Sequence, residues 1–276
     1  MIHQIIPMKT KNSSKNAKLI TYIIDHSEEI GIIKRPAVVV CPGGGYEFLS
    51  DREAEMIALN LNSFGYHAVV LRYSVAPDAV YPTALTELAS AVALLRKNAG
   101  EWHIDTDRIL VQGFSAGGHL AASYGMFWSE KFLSEETGVP TQMLKPNGMI
   151  LCYPVITSGE YAHRSSFEKL LGEQYGELVD KMSLETQVNE NTPPAFLWHT
   201  YTDDCVPVQN SLLLIEAMLK RQIPVEFHMY PSGGHGLALA NKLTANPGGY
   251  GVQKNCEAWM ESLRIWLEDN YPIELI

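Results

Sequence analysis

The sequence predicts an α/β protein with about eight strands in a mostly parallel sheet and helices on both faces. Short apolar runs alternate along the chain with amphipathic stretches of helical period. The inner runs, such as Pro36 to Cys41 (PAVVVC), are continuously apolar, as strands covered on both faces should be. Two of these runs end directly in glycine, at Pro42-Gly43-Gly44-Gly45 and at Gly113.

Taken in order, residues 2–8 and 19–24 read as short strands forming an antiparallel edge. After Pro36 to Cys41, Asp51 to Phe64 reads as a helix stopped at Gly65, and His67 to Arg72 (HAVVLR) as the next strand. Thr83 to Asn98 carries Leu85, Leu88, Ala89, Val92 and Leu95 at helical spacing, with Gly100 beyond it. Arg108 to Gln112 (RILVQ) is a strand running into Gly113, and Ser115 to Met126 a helix rich in Ala and Gly, suited to close packing. Gly148 to Cys152, Ala195 to His199 and Val225 to Tyr230 complete the strands. Val208 to Lys220 and Val252 to Glu268 are the remaining helices; in the last, Val252, Cys256, Trp259, Leu263, Trp266 and Leu267 share a face.

A chain of 276 residues without repeats, low-complexity tracts or linkers is expected to form one domain, 1–276. Two stretches break the rhythm, 127–147 and 155–193, and are expected to be insertions near the site. A domain of this size buries roughly 70–75% of its extended-chain surface and needs no disulfide or metal to hold together. Cys41, Cys152, Cys205 and Cys256 are scattered without a CxxC pair and read as reduced thiols. The net charge of −10 and the lack of a Lys/Arg cluster argue against nucleic acid and against an anionic membrane surface. Met1 to Ala17 has no apolar signal-like core, and no run reaches the roughly 18 apolar residues of a membrane span, so the expected address is cytoplasmic.

The chemistry centres on Gly113-Phe114-Ser115-Ala116-Gly117, a G-x-S-x-G pattern between a strand and a helix. A sharp turn there lifts the Ser115 hydroxyl out at the carboxyl edge of a sheet, beside the free N–H groups of a helix start. The bland alternative is a glycine-eased turn whose serine caps the helix. A serine needs a base, and His235 in Ser232-Gly233-Gly234-His235-Gly236, directly after the last strand, is the best placed histidine. His3, His26 and His103 lie on the wrong edge or before the serine. His67, His199 and His228 belong to strands or their ends, and His163 sits in the longer insertion. His119, one turn into the serine helix, is expected to be a packed core residue. The orienting acid should follow the strand before the histidine, where Asp203 and Asp204 both qualify. An oxyanion hole would take the amide of Ala116 and amides of the Gly43-Gly44-Gly45 turn. A phosphate-binding reading of that turn fails, because no Gly-Lys-Ser/Thr follows and no GxGxxG is present. No His/Asp/Glu set has metal-ligand spacing, so neither metal nor cofactor is expected.

Together, Pro42-Gly43-Gly44-Gly45-Tyr46, Gly113 to Ala122, Asp203-Asp204-Cys205-Val206-Pro207 and Gly233-Gly234-His235-Gly236 resemble the α/β-hydrolase superfamily. Within it the chain resembles the bacterial acetylesterase group, also called acetyl-xylan-esterase-like or sugar-ester hydrolases, from about residue 36 to the C-terminus. The resemblance implies Asp203 as the acid, the first residue of Asp-x-x-Val-Pro, and Gly44 and Gly45 as oxyanion donors. Pro42 stands where many related lipases and esterases carry histidine, which weakens any transfer from the hormone-sensitive-lipase branch. His163-Arg164-Ser165-Ser166-Phe167 resembles the group's site-covering insertion.

The function expected is hydrolysis of short acyl esters, acetyl above all, through an acyl-enzyme. Tyr46, Phe48 and Phe114 are candidates to narrow the acyl pocket, and the short insertions argue against a lipid tunnel. A sugar as the alcohol follows from the resemblance alone. The alternatives are an amide hydrolase of the same fold (kynurenine-formamidase-like or peptidase-like) and a non-catalytic binding scaffold. The expected partner is a small-molecule ester; a homodimer is compatible with the sequence.

Overall fold

The computed structural model describes residues 1–275. Its eight strands are β1 (Ile5–Pro7), β2 (Lys18–Tyr22), β3 (Arg35–Cys41), β4 (His67–Arg72), β5 (Ile104–Phe114), β6 (Gly148–Cys152), β7 (Ala195–Thr200) and β8 (Val225–Tyr230). They form one sheet in the order β1-β2-β4-β3-β5-β6-β7-β8. β2 runs antiparallel to both β1 and β4, while every pairing from β4 to β8 is parallel. The mostly parallel sheet with an antiparallel edge is thus as expected.

The helices are α1 (Glu55–Ser63), α2 (Thr83–Lys97), α3 (Ala116–Phe127), α4 (Lys131–Thr137), α5 (Arg164–Leu171), α6 (Tyr175–Leu178), α7 (Gln209–Lys220) and α8 (Trp259–Asn270). Strand residues alternate between two cores. Val38, Val40, Leu110, Phe114, Ile150, Phe196 and Trp198 face α1 and α8, which bring Ile57, Leu61, Trp259, Leu263, Trp266 and Leu267. Ala37, Val39, Val111, Met149, Leu151 and Leu197 face the opposite way, toward Leu88, Val92, Leu120, Leu214 and Met218 of α2, α3 and α7. Each fully buried aliphatic or aromatic side chain of this kind contributes about 1.5–3 kcal/mol by leaving water. A strand covered on both faces cannot show polar alternation, so its sequence reads as a continuous apolar run.

Two helices differ from their predicted spans. The stretch 51–64 splits into a short 3-10 turn, Asp51–Glu53, and α1, with Ala54 between them at φ −117° and ψ −104°. The break turns the Glu53 side chain into the interior, where it is 3% exposed. The last helix begins at Trp259, not Val252. Gly251 at φ +101° and the bond from the Gln253 amide to the Ala240 carbonyl (2.8 Å) hold 251–258 as turns against the preceding loop. Val252 is therefore exposed and Cys256 buried. The four cysteines are free thiols; only Cys205 is exposed.

The insertions carry α4 and α5–α6 respectively. The larger one is tied to the body by the Tyr81 amide donating to the Leu170 carbonyl (2.7 Å) and by the His119 ring bonding the Met182 carbonyl (3.0 Å). No described helix is long and apolar enough to cross a membrane.

Candidate active site

Ser115 sits between β5 and α3 with φ +53° and ψ −119°. A non-glycine residue held there costs of order 1–3 kcal/mol, and the surroundings must enforce it. Gly113 and Gly117 make the turn sterically feasible. A Cβ on Gly113 would lie 2.0 Å from the Gly117 carbonyl oxygen, and one on Gly117 would lie 2.2 Å from that of Cys41. Strand, turn and helix are in backbone contact, and no side chain fits between them. The Ser115 hydroxyl does not cap α3. It is instead paired with His235 Nε2 at 2.7 Å, which disposes of the capping alternative.

His235 lies in the loop after β8. Its Nδ1 is 2.7 Å from Asp203 Oδ2, so it donates to the carboxylate, and Nε2 is left to accept the Ser115 proton. The structure separates the two acids that the sequence left open. Asp203 is buried; Asp204 is exposed. Asp203 Oδ1 accepts the amides of Cys205 (3.0 Å) and Val206 (2.9 Å). Its Oδ2 also lies 3.3 Å from Nε2 of His199, which donates to the Val206 carbonyl at 2.9 Å while Nδ1 meets Ser211. Burial alone would push the Asp203 carboxyl up, but hydrogen bonds from His199 and His235, and their charge when protonated, hold it well below the usual carboxylate range.

The glycine turn after β3 lies across the serine from this pair. The Gly43 amide is already occupied, donating to Glu53 Oε2 at 2.8 Å. Among the described residues nothing accepts from the amides of Gly44, Gly45 or Ala116. Gly44 at φ +133° is locked there, since a Cβ would fall 2.1 Å from the Phe48 carbonyl oxygen. Tyr73 donates to the Pro42 carbonyl (2.7 Å) and fixes the start of the turn.

Ser115 and His235 open into a cleft of about 490 Å³. Its other walls are Gly44, Gly45 and Phe48 from the glycine turn, Glu53, and His163, Ser165 and Lys169 from the larger insertion. Of the three aromatic residues expected to narrow the acyl pocket, Phe48 lines the cleft, whereas Tyr46 and Phe114 do not. Tyr46 is 3% exposed, with its hydroxyl on His119 Nδ1 (2.9 Å), and Phe114 is fully buried against Tyr153 and Trp259. Sequence adjacency to the turn residues misled here, because neighbours along a strand or tight turn point to opposite sides. His119 is a core residue, as expected, and burial pushes it down to about 4. His163 gives no sequence sign of a site role beyond its place in the insertion, yet it lines the cleft from the position just before α5. Glu53, Tyr153 and His199 had no sequence signal of their own. They matter only through contacts the fold creates.

A strained serine turn at the carboxyl end of a central parallel strand, with a histidine and an acid supplied by later strand ends, defines an α/β-hydrolase. The matched relatives agree with that class. Residues 26–218 match the BD-FAE family model, and the chain belongs to that family. An acetyl ester-xyloside bifunctional hydrolase from Caldicellulosiruptor lactoaceticus superposes with a TM-score of 0.82 at 35% identity, covering 98% of this chain and 97% of that one. A carboxylesterase from Lactobacillus plantarum superposes at 0.85 with 29% identity, covering 99% of each. Among curated proteins, the endo-1,4-beta-xylanase B of Butyrivibrio fibrisolvens is 37% identical over 76% of this chain, and an acetylxylan esterase of Xylanibacter ruminicola 31% over 74%. The chain spans 33% and 41% of the length of those two proteins.

Proposed function

We propose that the protein is a serine carboxylic-ester hydrolase that removes short acyl groups, acetyl first among them, from sugars or oligosaccharides. The observation that carries this is the chain of contacts Ser115–His235–Asp203, both links at 2.7 Å, beside amides at Gly44, Gly45 and Ala116 that are unengaged among the described residues. In the proposed reaction His235 Nε2 takes the Ser115 proton as Oγ attacks the ester carbonyl carbon. The carbonyl oxygen becomes an oxyanion and draws on the three free amides. The ester C–O bond then breaks, and His235 returns its proton to the leaving alkoxide. Water, deprotonated by His235, attacks the acyl-enzyme in the same way and releases the carboxylic acid and Ser115. Each oxyanion donor is worth about 10²–10³ in rate.

The acetyl and sugar parts draw support from the names of the relatives and from the cleft. The cleft presents hydrogen-bonding side chains, His163, Ser165 and Lys169, beside one exposed ring, Phe48, and these can engage the hydroxyls and the apolar face of a sugar alcohol. The proposal extends to a single domain over 1–276, a cytoplasmic address and a homodimer, the last of which light scattering tests. Hydrolysis of nitrophenyl acetate, butyrate and octanoate, with acetylated xylo-oligosaccharide and formyl-kynurenine alongside, tests the whole. Acetyl esters should be cleaved fastest, and Ser115→Ala should remove the activity. A Ser115→Ala variant at wild-type rates would overturn the mechanism. Preference for octanoate or formyl-kynurenine would overturn the substrate class.

A further inference from the structure

Glu53 is an ionisable side chain that the acyl-transfer scheme leaves unused, although it borders the same cleft as Ser115 and His235. It is 3% exposed, and a carboxyl group at such depth persists only where its oxygens are satisfied. Oε2 accepts the Gly43 amide at 2.8 Å, and Oε1 accepts the Tyr153 hydroxyl at 2.7 Å. The Tyr153 oxygen in turn accepts the Ala238 amide at 2.9 Å, three residues beyond His235 in the same loop. The Tyr153 ring meets the His235 imidazole edge to face, with centroids 5.2 Å apart at 71°. A single carboxyl group therefore ties the glycine turn directly, and the histidine loop through one tyrosine.

Hydrogen-bond counting favours the carboxylate. The Tyr153 oxygen already takes the Ala238 proton, so its own proton must go to Glu53. A Glu53 protonated on Oε1 would donate to that oxygen instead and strand the hydroxyl proton in a buried site. The groups facing Glu53 are Arg52 on its own turn, Tyr153 after β6 and His235 in the last loop. Burial pushes the carboxyl above its ordinary value, and the Tyr153 and Gly43 donors and the charges of His235 and Arg52 offset only part of that rise. The fit is tight as well: a Cβ on Gly43 would lie 2.8 Å from Glu53 Oε2 and 3.0 Å from Ser115 Cβ.

We propose that Glu53 is a positioning residue for acyl transfer, its carboxylate consuming the Gly43 amide so that the next amides of the turn face the cleft, and holding that turn in register with the loop of His235. This role rests on the acyl-transfer reading of Ser115 and His235. Because the oxyanion donors face charge that exists only in the transition state, a shifted turn should cost turnover and leave ground-state binding almost untouched.

The test compares wild type, Ser115→Ala, Glu53→Gln, Tyr153→Phe and the Glu53→Gln/Tyr153→Phe double variant on nitrophenyl acetate, with an aryl boronic acid as tetrahedral-adduct probe and a thermal unfolding scan of each. Glu53→Gln should lower kcat by roughly 10–100-fold, change KM by less than about 3-fold, and weaken the boronate in step with kcat. Tyr153→Phe should move kcat and boronate affinity the same way by a smaller factor. The double variant should lose less than the product of the two single factors, because both act on one network. Should Glu53→Gln not fold, Tyr153→Phe carries the same readout. A kcat within twofold of wild type, a fall in kcat with unchanged boronate affinity, or one matched by an equal change in KM would each overturn the role of Glu53. An inactive wild type or an active Ser115→Ala would instead remove the acyl-transfer reading itself.

Discussion

Replacing Asp203 by asparagine changes one atom that two histidines face. In the wild type, Oδ2 takes the N–H of His235 at 2.7 Å and lies 3.3 Å from that of His199. Oδ1 is held by two backbone amides, so the NH₂ group of the introduced amide must occupy the Oδ2 position and point at those N–H groups. His235 can accept from it only by moving its proton from Nδ1 to Nε2, the atom that should accept from Ser115. The wrong tautomer leaves Ser115 without a base, a defect worth about 10⁴ in kcat, or about 5 kcal/mol of transition-state stabilisation. KM for nitrophenyl acetate should stay within about threefold, since no substrate contact is removed. Asp204→Asn, at an exposed position, should stay within about twofold of wild type in all parameters. The pH dependence of stability gives an independent reading. Asp203 is held below the usual carboxylate range when folded, so its contribution is present above the unfolded value near about 3.9 and is lost as the pH falls below it. The wild-type advantage over Asp203→Asn in unfolding midpoint should therefore hold above about pH 5, begin to shrink near about pH 4 and go on shrinking as the pH is lowered further. An Asp203→Asn enzyme with kcat near wild type, or an Asp204→Asn enzyme without activity, would refute the assignment.

Other substitutions probe the frame. Gly44→Ala should lower kcat by about 10²-fold with little change in KM, because its Cβ collides with the Phe48 carbonyl and swings an oxyanion donor away; steady-state kinetics check it. Gly117→Ala should destabilise by about 1–3 kcal/mol in urea unfolding, as its Cβ would meet the Cys41 and Pro42 carbonyls. Lys169→Ala removes an exposed ion pair to Glu47 and should cost less than about 1 kcal/mol by the same measurement.

The parts of this molecule that obey one-dimensional rules could be read from its sequence. Runs such as Pro36 to Cys41 are apolar throughout because both faces are covered, and G-x-S-x-G is spelled out because the turn at Ser115 admits no side chain on either flank. His235 and Asp203 stood at strand ends in the expected order, though only burial separated Asp203 from Asp204. What escaped is whatever depends on direction. Tyr46 and Phe114 are adjacent to site residues yet point into the core. Glu53 sits in an ordinary acidic helix start, Asp51-Arg52-Glu53, and nothing local tells that a kink at Ala54 drives it inward. The extended face predicted from Val252 failed for a similar reason: Gly251 and a bond to Ala240 override the helical spacing.

The larger insertion has a consequence for how such a protein can diversify. Ser115, Asp203 and His235 hang from strand ends of the sheet, whereas His163, Ser165 and Lys169 all ride on one short segment that reaches the cleft from outside. On the proposed reading, chemistry and selectivity are thus carried by separable parts of the chain. Exchange of residues within 155–193 should then alter which alcohol is admitted while the proposed reacting atoms stay in register.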